Sequence, residues 1–179
     1  VLNFLKTDIL DKDKKKIFSL RNFGGSTISR CYHFFSSAPD IVDWINKFEK
    51  NSLFVDKLLE AGITIIGKTN TAELGVGGQT INRLFGPTSN VYDVTKCAAG
   101  SSGGASTAVA SGMLPFADGT DQMGSCRAPA AFANIYGFRP TTGLIASART
   151  FQDPKIPVLT TPGCFAKTPN DMAFLIDAI

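Results

Sequence analysis

Histidine is almost missing from this sequence: His33 is the only one among 179 residues. A tetrahedral zinc site of the usual kind draws on histidine together with cysteine or carboxylate. The four cysteines, Cys31, Cys97, Cys126 and Cys164, include no CxxC pair, so neither a metal nor another cofactor is expected. A Ser-His-Asp triad would have to use His33, inside the irregular run Cys31-Tyr32-His33-Phe34-Phe35. A serine hydrolase made from this chain must find its base elsewhere, and a lysine kept neutral by burial is the obvious candidate. Long apolar runs are absent as well. No stretch approaches the roughly 20 residues that a membrane-spanning helix requires, so no membrane partner is expected. The sequence shows no signal-peptide pattern, and its cysteines are not disulfide-dense, which together read as reduced thiols in a cytoplasmic protein. Charge is sparse, with 18% Asp, Glu, Lys and Arg and a formal net charge of +3. Lys12, Lys14, Lys15 and Lys16 form one solvated run rather than a basic stripe, so nucleic-acid binding is not indicated.

What is present is an ordinary globular composition, 44% hydrophobic, in a length that supports one domain with a real core. Two glycine-flanked serine turns stand out between Ala98 and Pro140: Gly100-Ser101-Ser102-Gly103-Gly104 and Gly124-Ser125. Glycine beside serine permits backbone dihedrals that a Cβ resists and leaves the hydroxyl uncovered, the kind of turn where nucleophiles and oxyanion donors occur. From composition alone, the first turn reads rather as a flexible Gly/Ser loop or an anion-binding helix N-terminus than as a catalytic turn. It is not a nucleotide-binding loop of known pattern, since neither GxxxxGK[ST] nor GxGxxG is present.

Along the chain, residues 1–38 carry little pattern. Ile41, Trp44, Ile45 and Phe48 fall on one helical face. Asn51 to Gly62 reads as a helix with Phe54, Leu58 and Leu59 inward and Gly62 at its C-cap. Ile63 to Gly67 is a short β-branched run, expected as a buried strand that delivers Lys68 at its end, where open α/β sheets place ligands. Ile81 to Val94 reads as loop. Gly104 to Met113 is expected to be a small-residue helix whose N-terminus points at Ser101 and Ser102. Leu114 to Ala117 reads as a short strand, Pro129 to Ile135 as a helix and Tyr136 to Phe138 as a strand. Thr168-Pro169-Asn170-Asp171 has the layout of a helix start, with Met172, Leu175, Ile176 and Ile179 on one face. The alternation predicts an α/β fold, a mostly parallel mixed sheet covered by helices. Asp121 and Arg127 bracket the second serine and are expected to pair bidentately, holding that turn in place.

Taken together, AGSSGG (Ala99 to Gly104), ADGTDQMGS (Ala117 to Ser125), RAPA (Arg127 to Ala130) and GFRPTTG (Gly137 to Gly143) resemble the core of the amidase signature family. AGITIIGKTNTAELGVG (Ala61 to Gly77) is similar to that family's lysine segment, and Thr160 to Ala178 to the segment after its core. The resemblance covers residues 53 to 179 and only loosely what precedes them. It implies a single, partial domain over 1–179, because the family's catalytic domain is considerably longer. Position by position, it implies Ser125 as nucleophile, Ser101 as a bridging serine after a cis peptide bond at Gly100-Ser101, and Lys68 as base. Backbone N–H groups of Gln122, Met123 and Gly124 would line an oxyanion hole, with Ser102, Asp121 and Arg127 in support. Met123 and Ala99 depart from the pattern, standing where relatives commonly have glycine. A positive φ at either would be strained. The implied partner is a small-molecule amide. The chain could also be the glutaminase subunit of a tRNA-dependent amidotransferase with partner subunits, a homodimer, or a catalytically silent interaction module.

Overall fold

The computed structural model describes residues 53–145 and 159–179. The expected helix at Ile41 to Phe48, together with Cys31 and His33, lies outside them. Helix α1 (Leu53–Glu60) ends because Gly62, at φ 79°, turns the chain left-handed. The Ile63 N–H then donates to the Leu58 carbonyl and the Gly62 N–H to Leu59, both at 3.0 Å, the paired closure of a Schellman stop. Leu58 and Val55 face the core. Leu59 does not, as the sequence had suggested, but remains 40% exposed.

Next come a short 3-10 turn (Glu73–Gly75), the small hairpin β1 (Ile81–Asn82) and β2 (Gly86–Pro87), and helix α2 (Gly103–Ala110). Strand β3 (Phe116–Asp121), helix α3 (Arg127–Phe132), strand β4 (Tyr136–Phe138), strand β5 (Thr161–Ala166) and helix α4 (Pro169–Asp177) complete the order. The hairpin falls where only loop was expected. At α4 the predicted start is present: the Thr168 hydroxyl accepts from the Asp171 N–H at 3.1 Å, with Pro169 in the first turn.

The main sheet runs β3-β5-β4, and β5 is antiparallel to both neighbours. The helix-covered α/β architecture is the one the sequence implies, but the ladders among the described residues are antiparallel rather than parallel. The physical reason lies in β5. Strands β3 and β4, linked through α3, point the same way, as a strand-helix-strand unit should. The later strand β5 inserts between them and takes up the hydrogen bonds of both. Strand β3 also runs on to Asp121 instead of ending near Ala117, because Thr161 to Ala166 pairs with its whole length.

Side chains alternate across β5. Cys164 and Ala166 join Leu58, Ile145, Met172 and Leu175 in one apolar cluster under α1 and α4. Phe165 faces the other way, into a cluster with Ala105, Val109, Cys126 and Ala130 from α2 and the start of α3. The sheet is therefore covered on both faces, and among the described residues β3 forms one of its edges. Ile63 to Gly67, expected as a buried strand, joins no ladder among the described residues, and Ile66 is 54% exposed. Its β-branched residues favour a pleated surface, but propensity supplies no pairing partner.

Candidate active site

Both serine turns sit at one end of the sheet. The first is fixed from beneath. The Thr80 hydroxyl donates to the Ala99 carbonyl at 2.7 Å and accepts from the Gly103 N–H at 2.8 Å. The Ser101 carbonyl receives the Ala72 N–H at 3.0 Å and the Thr71 hydroxyl at 2.9 Å. Asn70 braces the same region: its carbonyl accepts the Gly104 N–H at 3.2 Å and its amide donates to Thr88 at 2.9 Å. A Cβ at Gly103 would collide with Thr80, and one at Gly104 with the Asn70 backbone, so these glycines are required by close approach. The Gly100-Ser101 peptide bond is cis. Ser101 and Ser102 are both buried.

The second turn is organised by one carboxylate. Asp121, at the end of β3, has a fully buried side chain. Its Oδ1 accepts the Gly124 N–H at 2.8 Å, and its Oδ2 accepts the N–H groups of Cys126 at 3.2 Å and Arg127 at 3.3 Å. The Arg127 guanidinium closes on it bidentately, Nε to Oδ2 at 3.0 Å and Nη2 to Oδ1 at 2.9 Å, as its position in the sequence predicted. Burial alone would push the Asp121 carboxyl up. The Arg127 side chain, then the Gly124, Arg127 and Cys126 N–H groups, outweigh that and hold it down at about 2.

The turns meet through the backbone, the Ser102 N–H donating to the Ser125 carbonyl at 3.3 Å. The Ser102 hydroxyl lies by the backbone of Thr120, accepting its N–H at 3.4 Å. Lys68 enters from the segment that follows α1, and its Nζ is shielded from solvent. A cleft of about 170 Å³ is lined by residues 63–71 of that segment, by β3 from Phe116 to Thr120, and by Ser102. Lys68 and Ser102 thus share one cleft, whose lining does not include Ser101 or Ser125. Ser125 itself is half-buried.

The family model described as Amidase matches residues 41–179. The chain belongs to the amidase signature family. A glutamyl-tRNA(Gln) amidotransferase subunit from Methanosarcina barkeri (strain Fusaro / DSM 804) is 37% identical over 168 residues, covering 94% of this chain and 32% of the relative. Among solved structures, 6-aminohexanoate cyclic dimer hydrolase superposes with a TM-score of 0.68 at 26% identity, over 91% of this chain and 32% of that one. A bacterial aryl acylamidase of the amidase signature enzymes gives 0.66 at 35% identity, over 73% and 27%. The chain therefore spans about a third of the length of these relatives.

Against the amidase signature pattern, two departures now have a physical meaning. Met123 does not take a positive φ and is 89% exposed, the left-handed turn being made by Gly124 at φ 110°. A side chain at 123 therefore does not distort this turn. Ala99 does take a positive φ, 58°, so the strain falls on the first turn. The Gly124 N–H, one of the implied oxyanion donors, is engaged by Asp121 Oδ1 in this structure, the bond that shapes the turn. Sequence reading also missed Arg139, whose Nε lies 3.5 Å from Asp121 Oδ1 while Nη2 donates to the Leu159 carbonyl at 2.8 Å. The only signal for it was its place in GFRPTTG. Asn70 and Thr80 were missed for another reason: isolated polar residues in a loop carry no periodicity.

Proposed function

We propose that this chain carries the reaction centre of an amide hydrolase, with Ser125 as nucleophile, Ser101 as proton bridge and Lys68 as base. Neutral Lys68 takes the Ser101 proton, Ser101 takes that of Ser125, and the Ser125 oxygen attacks the amide carbonyl. The N–H groups of Gln122 and Met123 receive the developing oxyanion. Reversal of the relay protonates the departing amine. Water, deprotonated by the same relay, then cleaves the acyl-serine ester to acid and free serine. The observation that carries this reading is the bond from Ser102 to the Ser125 carbonyl. It joins the two serine turns beside a lysine whose amine is withheld from water and therefore loses part of what favours its charged form.

A fluorophosphonate probe read by intact mass tests it. The full chain should gain one adduct, which is lost in Ser125→Ala and strongly suppressed in Lys68→Ala. A folded chain that takes no adduct would instead be an interaction module. A second reading makes glutamine the amide and other amidotransferase subunits the partners. It is supported by the 37% identity that runs over 94% of this chain. Ammonia release from glutamine that appears only when partner subunits are added would select it, while release from simple amides by the chain alone would select the first.

A further inference from the structure

Asp118 is a carboxylate in the middle of a strand, and the proton relay gives it no task. On β3 it shares a face with Phe116, which packs against the cluster under α1 and α4. It opens into the same cleft as Lys68, and these two are the only ionisable groups among the described residues that line it. The remaining lining is apolar or neutral, including Leu58, Phe116 and Leu175. In such a cleft an ammonium and a carboxylate act on each other more strongly than across open water.

We propose that Asp118 sets the ionisation of Lys68, its carboxylate holding the ammonium in place so that the free amine forms only at a higher pH. The proposal rests on Lys68 being the base and deepens that reading: Asp118 acts only through Lys68, as a positioning residue for its charge. The electrostatics point the same way. Although its side chain is exposed within the cleft, the surrounding protein desolvates the Asp118 carboxyl and pushes it up. Its backbone hydrogen bond and then the Lys68 charge draw it back.

Among the described residues no other neighbour takes this part. Cys164, opposite Asp118 on β5, has a thiol pushed up to about 12 by burial, and burial raises Cys126 well above its usual value. Both stay neutral through the physiological range. Asp121 lies on the opposite face of β3, held by Arg127 and Arg139. Asp56, Lys57 and Glu60 of α1 and Asp171 and Asp177 of α4 do not line the cleft.

The test is competitive acylation of the full chain with limiting acetic anhydride across a pH series, with Lys68 followed by peptide mass spectrometry. In Asp118→Asn the midpoint of Lys68 reactivity should fall by about one pH unit, roughly tenfold more free amine at a given pH below it. An unchanged midpoint overturns the proposal. The reciprocal variant, Lys68→Met, should raise the titration of the Asp118 carboxyl seen by carbon NMR, and an unmoved titration overturns it equally. The pH profile of Ser125 labelling by the fluorophosphonate should shift with Lys68 in Asp118→Asn. If the Lys68 midpoint moves and that profile does not, the charge pair stands and the relay reading falls.

Discussion

Ala99 adopts a φ of 58° with its side chain buried, a conformation that brings Cβ against the neighbouring carbonyl and costs roughly 1–2 kcal/mol. The first serine turn accepts this because Thr80 holds both sides of it: its N–H and hydroxyl bond the Ala99 carbonyl, and its oxygen receives Gly103. Ala99→Gly removes the strain and returns part of the gain as extra freedom of the unfolded chain. The variant should be about 0.5–1 kcal/mol more stable. A higher urea midpoint at unchanged slope is the expected readout, and a lower midpoint would mean that the methyl packs better than the backbone suffers. Met123 makes the contrast. It departs from the family pattern just as visibly, yet its backbone needs nothing special and its side chain is in solvent. Which departure matters was decided by φ, and φ is not written in residue identity.

At the scale of elements, chain terminators were legible because they act through their own few residues. Gly62 shows this without interference, since a Cβ built there meets nothing within 4 Å. Gly62→Ala should cost about 1 kcal/mol from backbone strain alone, with α1 fraying at Glu60 in hydrogen exchange. The Thr168-Pro169 start of α4 and the glycines around Ser101 were readable for the same reason. Sheet direction was not. Strand β5 reaches its place between β3 and β4 from far along the chain, and neither composition nor period encodes which strand will insert between two others. Ile63 to Gly67 has the composition of a strand, but a ladder needs a neighbour. The apolar spacing there was correct and the inference from it was not. Asp118 lies just past the strand end expected at Ala117, and it is pairing with Cys164 that carries the strand through it.

Across the whole molecule, Asp121 connects more of the structure than any sequence motif suggests. Its carboxylate binds the second serine turn through Gly124, the start of α3 through Cys126 and Arg127, and the region beyond β4 through Arg139, which in turn holds the Leu159 carbonyl ahead of β5. Thr160 reinforces that junction by donating to the Gln122 side chain at 2.8 Å. Global stability should therefore record the titration of a single group. The folded carboxyl sits at about 2 against an ordinary 3.8, so the folded state binds its proton less readily than the unfolded one. The resulting stabilisation, about 2 kcal/mol, is fully present above pH 4 and is lost as pH falls through 2. Unfolding midpoints measured from pH 6 down to pH 2 should fall in the intact chain. They should be flatter in Asp121→Asn, which starts lower because an amide cannot accept from the guanidinium and three N–H groups at once. The same variant ought to lose fluorophosphonate labelling of Ser125 even at pH 7, where most of its fold survives. A stable Asp121→Asn chain that labels normally would separate the architecture of the turn from its chemistry.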